Sequence, residues 1–107
     1  MGIKGDKRSS ESALTAELMV ERLAAIPGIT SKGMFGGQGI FHEGKMFGLV
    51  DSKGQGFLKV DDSNRDQFES AGAKPHGKMP YLSIPESVFN DPDQLTQWAQ
   101  TSIDLSK

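Results

Sequence analysis

The sequence contains no cysteine among its 107 residues. That absence excludes a disulfide framework, a thiolate zinc site, an iron–sulfur cluster and a cysteine nucleophile. The chain also lacks an apolar run near the roughly 18 residues of a membrane span. No apolar segment follows the basic residues at its start, as a signal peptide requires. We therefore expect a cytoplasmic protein that makes no contact with membranes.

A strong excess of charge of one sign is missing as well. The chain has 12 basic and 14 acidic residues, and its net charge of -2 does not favour non-specific binding to nucleic acid. Residues 28–60 differ locally, because four lysines there outnumber one glutamate and one aspartate. A nucleic-acid-associated module that uses this mildly basic segment is therefore an alternative, but not the favoured one.

Residue groupings typical of catalysis or metal binding are not found in the sequence. His42 and His76 are the only histidines, which is too few for the three or four ligands of a zinc site, and we expect both on the surface. Ser83 lacks the flanking glycines that expose a nucleophilic serine. The acidic pairs at 61–62 and 91–93 precede predicted helices, where capping explains them. We expect no enzyme activity, no metal and no cofactor.

Glycine, in contrast, is abundant, and nine of the 13 glycines lie between positions 28 and 56. Apolar residues in this stretch alternate with a period of two, which indicates strands. Glu43-Gly44 suits a two-residue hairpin loop, and residues 52–54 suit a three-residue loop with Gly54 in the left-handed conformation. The pattern predicts strands at 29–35, 38–42, 45–50 and 56–60.

Helical patterns flank these strands. Residues 1–9 are polar and without periodicity, so we expect a mobile tail followed by a single domain at 10–107. A middle helix has Ser63 as its N-cap, buries Phe68 and ends at Gly72. Asp91 caps the last helix, with Pro92 at its first position. The first helix is predicted at residues 10–26, with a buried stripe of Leu14, Leu18, Met19, Leu23 and Ile26. The buried stripe predicted for the last helix is Leu95, Trp98, Ala99 and Ile103.

Residues 79–85 complete the predicted sheet. Two prolines in this segment remove donors from the hydrogen-bond ladder, which is typical of an edge strand. The fold class is therefore α+β, with an antiparallel sheet of about five strands: a four-stranded meander plus the later edge strand. N-terminal, middle and C-terminal helices pack on the sheet in a two-layer arrangement.

Both faces of the predicted sheet are apolar, whereas a sheet wetted on one side would alternate apolar and polar residues. Either helices cover both faces, or one face meets a partner or a second copy. The two turns imply a register in which Phe41 lies opposite Met46, Ile40 opposite Phe47 and Leu49 opposite Phe57. In this register Lys59 shares a face with the candidate interface, and five apolar residues lie on the opposite face. The candidate interface is Ile40, Phe47, Leu49 and Phe57, and the opposite face is Phe41, Met46, Val50, Leu58 and Val60.

A candidate binding surface joins the glycine cluster at residues 33–39 to Lys59. Glycines allow backbone N–H groups to approach an anion, but a strand rather than a helix follows them here, which favours a tight turn over a phosphate loop. Lys59 is a cation in an apolar strand, and either its stem covers Phe47 or its ammonium belongs to a binding site. The surface comprises Gly36, Gly37, Lys59, Lys78 and Tyr81.

Five short motifs occur in a characteristic order. They are Met34-Phe35-Gly36-Gly37, Gly44-Lys45-Met46-Phe47-Gly48-Leu49-Val50, Leu58-Lys59-Val60-Asp61, Gly77-Lys78-Met79-Pro80-Tyr81 and Leu95-Thr96-Gln97-Trp98-Ala99. In this order they resemble the N-terminal domain family of TfoX, a regulator of bacterial DNA-uptake competence. The resemblance covers residues 14–105 and implies a compact domain with helices packed against an antiparallel sheet. It supplies no catalytic residues.

We expect a non-enzymatic regulatory or protein-interaction domain. TfoX-like regulators carry a second domain after this one, and the chain stops at Lys107, so we expect a stand-alone domain. Its expected partner is a second copy, forming a homodimer, or another regulatory protein. The alternatives are the nucleic-acid-associated module and a small-ligand-binding protein with a pocket near the glycine cluster.

Overall fold

The computed structural model describes residues 3–34, 37–77 and 79–106. Five antiparallel strands form one sheet in the order β1-β2-β3-β4-β5, with helices beside it, which confirms the α+β fold. No helix in these ranges is long and apolar enough to cross a membrane. The elements are α1 (Ile3–Arg22), β1 (Ile29–Met34), β2 (Gly37–His42), β3 (Lys45–Val50), β4 (Gly56–Lys59), α2 (Arg65–Ser70), β5 (Tyr81–Ser83), α3 (Glu86–Phe89) and α4 (Pro92–Leu105).

Helix α1 begins at Ile3, well before the predicted start at residue 10. The additional turns are rich in lysine and arginine, which favour helix without giving an apolar period, so periodicity did not mark them. The predicted buried stripe is wrong at Leu14, which is 57% exposed. The buried stripe is formed instead by residues at successive spacings of four, three and four, which lie on one side of a helix. They are Ser12, Ala16, Met19 and Leu23.

The two predicted hairpin turns are confirmed. Glu43 and Gly44 both have positive φ angles, 50° and 86°, as a type I′ turn requires. Gly54 has a φ of 88°, the left-handed conformation expected of a three-residue loop. The Asp51 carboxylate closes that loop by accepting hydrogen bonds from the N–H groups of Lys53 and Gln55, both at 2.9 Å.

The later helices follow the predicted pattern with two corrections. Asp91 caps α4 and accepts from the N–H groups of Asp93 and Gln94, as predicted. The predicted N-cap Ser63 is wrong: α2 has Asn64 at that position, because the Ser63 N–H and hydroxyl both donate to the Asp61 carboxylate. The short helix α3 was not predicted. It lies next to the end of α1, where the Arg22 guanidinium donates to a carbonyl of α3 at 3.0 Å.

The main core lies between the helices and one face of the sheet. Phe68 and Trp98 pack at its centre with their rings 4.6 Å apart. The predicted stripe of α4 is entirely buried there. The strands contribute Ile40, Phe47, Val50 and Leu58, with Val60 just beyond β4.

A β-bulge in β3 decides which side chains share a face. Phe41 lies opposite Met46, but the preceding residue Ile40 lies opposite Gly48. Phe47 is therefore an extra residue on β3, and the predicted pairing of Ile40 with Phe47 is wrong. The pairing predicted for the next hairpin, Leu49 with Phe57, is confirmed.

The bulge also rearranges the predicted faces. An extra residue reverses the alternation of side chains along a strand, so Phe47 and Leu49 lie on opposite faces although they are two residues apart. Ile40 and Phe47 are 0% exposed in the main core, beneath the helices. Leu49 and Phe57 belong to a separate cluster on the other face. The four residues predicted as one interface are thus divided between the two faces.

The carbonyl of Lys59, at the end of β4, holds three parts of the fold together. The Ser102 hydroxyl of α4 donates to it at 2.8 Å, and the Asn64 side-chain amide donates to it at 3.3 Å. Both donors are buried, with exposures of 0% and 3%. Because a buried polar group without a partner is costly, these bonds fix α4 and the start of α2 on the sheet.

The two edges of the sheet differ. Residues 74–76 run along the outer edge of β5, where the Ser83 N–H donates to the Lys74 carbonyl at 2.8 Å and the His76 N–H donates to the Tyr81 carbonyl at 3.0 Å. Pro75 forms an isolated bridge in the same segment. In the described part of the chain, no segment pairs with the outer edge of β1.

A candidate docking groove on the outer face of the sheet

The outer face, which we define as the face turned away from α1 and α4, has its own small apolar cluster. We call Leu49, Phe57 and Tyr81, with Met46 packed against them, the outer cluster. Its three buried members are 5–8% exposed. The imidazole of His76 covers Phe57 edge-on, with the ring centres 4.8 Å apart. The loop between α2 and β5, which the structure describes at residues 71–77 and 79–80, thus covers part of this apolar patch.

Beside the outer cluster lies a groove of about 230 Å³, which we call the outer groove. The bulge in β3 creates its floor, because it turns Met46 and Leu49 to the same side although they are three residues apart. Met79, at 43% exposed, stands at its margin. The lining residues are Gly37, Gln38, Met46, Leu49, Val50, Asp51, Ser52, His76 and Met79.

Gly37 forms one end of the outer groove. A side chain there would begin with a Cβ only 2.1 Å from the carbonyl oxygen of Val50, so the close approach of β2 to the end of β3 requires glycine. The acidic side chain at this end, Asp51, already holds the β3–β4 loop through its hydrogen bonds. Asp51 is the only carboxylate or lysine/arginine side chain among the described residues that line the groove.

His76 combines a ring contact with a buried ring nitrogen. Its Nδ1 atom is buried and has no hydrogen-bond partner among the described residues. The prediction that His76 is solvent-exposed is only partly right, because the residue is partly buried: its ring packs on Phe57 and lines the outer groove. The sequence carries no signal for this role, which depends on how residues 74–76 follow β5.

The structure brings together only some of the predicted binding residues. Gly37 lines the outer groove, and Tyr81 belongs to the outer cluster, where burial raises the pKa of its phenol. Lys59 lies opposite Tyr81 in the β4–β5 register, so the two side chains share the outer face, but Lys59 does not line the groove. Gly36 and Lys78 lie outside the described residues.

The interpretation that the Lys59 stem covers Phe47 is wrong. The bulge places Phe47 in the main core, on the face opposite to Lys59. Of the predicted interface, Leu49 and Phe57 lie on the outer face, whereas Ile40 is enclosed in the core with Phe47. Sequence analysis also missed Met46 and Met79 as groove residues, although both stand in the motifs that define the resemblance.

The size and lining of the outer groove indicate what it can hold. A volume of about 230 Å³ lies below the roughly 300–1,000 Å³ of typical small-molecule pockets. An apolar floor with two methionines adapts readily to an apolar side chain. Phe57 and Tyr81 are 6% and 5% exposed, so neither ring is free to stack on a nucleic-acid base.

Residues 21–106 match the family model described as the TfoX N-terminal domain. The match takes in every strand and every residue that lines the outer groove. No curated protein matches the chain.

Proposed function

The chain belongs to the TfoX N-terminal domain family, and on that premise we propose that it is a non-enzymatic regulatory domain that binds another protein through the outer groove. The observation that carries the proposal is an apolar groove beside a buried cluster, with Met79 exposed at its margin. The absence of cysteine fits a protein of the reducing cytoplasm, where we place it.

The occupant we propose is one apolar side chain from an uncharged segment of the partner. The groove has room for a side chain rather than for a ligand of ordinary size. Methionine is common at surfaces that accept varied apolar groups, because its side chain is flexible and polarisable. Within the described part of the chain, Asp51 is the only carboxylate or lysine/arginine side chain among the residues that line the groove, so most of the rim offers no charge for a partner residue to pair with.

The alternatives have less support. A small-ligand site needs a larger and more enclosed cavity, with several polar groups converging on the ligand. A nucleic-acid site on this face needs exposed aromatic rings beside basic residues, and Phe57 and Tyr81 are buried. Binding of nucleic acid by the purified protein at low salt would favour the nucleic-acid alternative. A small molecule that stays bound through purification would favour the small-ligand alternative.

Site-specific photo-crosslinking tests the proposal. A benzophenone amino acid replaces Met79 in the native cell, and the same group at Leu14, which is 57% exposed on α1, serves as the matched control. We expect one protein to be crosslinked from position 79 and not from position 14. The affinity of this purified partner for the Met79→Glu variant should then fall by about tenfold or more, because a carboxylate would replace an apolar contact.

Two results would contradict the proposal. One is a crosslinking pattern that is the same at positions 79 and 14. The other is a partner that binds the Met79→Glu variant as tightly as the wild-type chain. Leu14→Glu should leave binding unchanged, and Trp98 fluorescence during thermal unfolding should show that both variants are folded, because Trp98 reports on the main core.

A further inference from the structure

The open edge of the sheet at β1 carries a second inference, independent of the outer groove. Natural proteins protect sheet edges, because unpaired backbone groups there bind other strands. Here residues 74–76 satisfy the outer edge of β5, and Pro75 lies within them. β1 has six residues, no proline and an unbroken register with β2. No segment in the described ranges pairs with its outer edge.

The hydrogen-bond pattern identifies the free groups on β1. The Gly28 carbonyl accepts from the Glu43 N–H at 3.1 Å, so residue 28 and every second residue after it face β2. The N–H and C=O groups of the alternate residues therefore point away from the sheet. These residues are Ile29, Ser31 and Gly33, and the groups have no partner among the described residues.

We infer that β1 pairs antiparallel with β1 of a second copy, which forms a two-fold dimer with one continuous sheet. A two-fold axis at Ser31 places this residue opposite its own copy, and Ile29 opposite Gly33 of the second copy. All outward N–H and C=O groups then find partners. Such an isologous contact closes on itself and produces a dimer rather than a fibre.

The side chains of β1 suit this pairing. The register places Thr30 opposite Lys32 of the second copy, so no two like charges face each other along the strands. Thr30, Ser31, Lys32 and Gly33 are all exposed in the single chain. Gly33 adds no side chain against the branched Ile29 of the other copy. The sequence of β1 is therefore compatible with pairing to β1 of a second copy.

A shallow groove beside β1 contains two acidic residues that bear on the proposed dimer. It holds about 320 Å³ and is lined by Glu17, Val20, Glu21 and Ser31. In the proposed dimer the two α1 helices flank the shared strands on the same face, so their exposed glutamates approach one another. We therefore expect the dimer to tighten as ionic strength rises, because salt screens this repulsion. A basic foreign strand would bind here with the opposite dependence on salt.

Light scattering or sedimentation across protein concentration tests the dimer. We expect a wild-type dimer that Ser31→Pro weakens by about tenfold or more, because proline lacks the outward N–H. Ser31→Ala keeps that N–H and should remain dimeric. The proline leaves the pairing of β1 with β2 intact, since the N–H of Ser31 does not face β2.

Disulfide trapping tests the register even if Ser31→Pro does not fold. The chain has no cysteine, so single cysteines at positions 30 and 32 report only on the contact. A mixture of Thr30→Cys and Lys32→Cys should form a mixed disulfide faster than either variant alone. A monomer at every concentration, a dimer insensitive to Ser31→Pro, or equal rates of trapping would overturn the inference. Met79→Glu should leave the dimer intact, which separates this test from that of the outer groove.

Discussion

The two faces of the sheet are both apolar, but different structures cover them. On one face α1 and α4 enclose large side chains completely, and Phe47 and Ile40 are 0% exposed. On the other face the loop between α2 and β5 covers the outer cluster, whose three buried members keep 5–8% exposure. An apolar face therefore does not by itself indicate a second layer of helices or an interface, because a short loop with one aromatic contact covers the patch.

The difference in cover implies a difference in local stability. Regions with few buried apolar contacts open more often than the main core of a protein. Residues 74–76 are held to β5 by backbone hydrogen bonds, and the His76 ring contacts Phe57 of β4. We expect this segment to open more readily than the helical layer, which suits a surface that admits a partner. The following predictions test this contrast.

The largest effect is expected from two phenylalanines on opposite faces. Phe47→Ala should lower the free energy of unfolding by about 4 kcal/mol, and Phe57→Ala by about 2–3 kcal/mol. The difference arises because the segment that carries His76 can collapse into the space left by Phe57, whereas helices cover Phe47. Urea unfolding followed by Trp98 fluorescence measures both values at one fixed protein concentration.

Equal losses in the two variants would show that the loop is as rigid as the helical layer. The comparison requires similar denaturant slopes, because a changed slope signals a changed unfolded state or loss of two-state behaviour. A fixed concentration matters, because dimerisation would make the apparent stability depend on concentration.

A smaller effect is expected from the hydrogen bond that anchors α4 on the core face. Ser102→Ala should destabilise the fold by about 1 kcal/mol, because the Lys59 carbonyl loses one of its two side-chain donors. Thr101→Ala is the matched control, since Thr101 is a neighbouring hydroxyl residue that bonds only within its own helix. Thermal unfolding of both variants measures the difference, and equal melting temperatures would refute the anchoring role.

The smallest effect concerns the phenol of the outer cluster. Burial raises the pKa of Tyr81, so the folded state favours the neutral phenol more than the unfolded state does. The associated stability is fully present below the ordinary pKa of about 10, and it is lost as the pH rises through the raised value. Tyr81 is the only tyrosine, so near-ultraviolet absorbance follows its ionisation directly. A midpoint at or below that of free tyrosine would show that the loop leaves the ring open to water.

Local patterns predicted much of the fold. The turns at Gly44 and Gly54 and the cap at Asp91 follow from residue types whose backbone preferences act over a few positions. The stripe of α4 was predicted for a similar reason, because its apolar residues recur cleanly at helical spacing. In α1 a second set of leucines diluted that signal, and Leu14 was wrongly placed in the core.

The candidate site was harder to predict, because it depends on one extra residue and one loop. Strict alternation assigns Phe47 and Leu49 to the same face, and only the bulge separates them. No turn residue marks the bulge, which arises from how β3 pairs with β2. The position of His76 depends on a loop that follows the edge of β5, a contact that periodicity does not encode. The glycine cluster was predicted as a tight turn, whereas the constraint on Gly37 comes from the Val50 carbonyl of β3, a contact that local sequence does not encode.

The double hydrogen bond to the Lys59 carbonyl also affects how this sequence can evolve. The acceptor is a main-chain atom, so exchanging the side chain at position 59 for any residue but proline leaves both bonds in place. Asn64 and Ser102, which provide the donors, have no such freedom. Position 59 can therefore change from a cation to a neutral or acidic group while the fold stays anchored. Relatives of this protein can alter the charge of the outer face by a single mutation, without first acquiring a compensating change in the core.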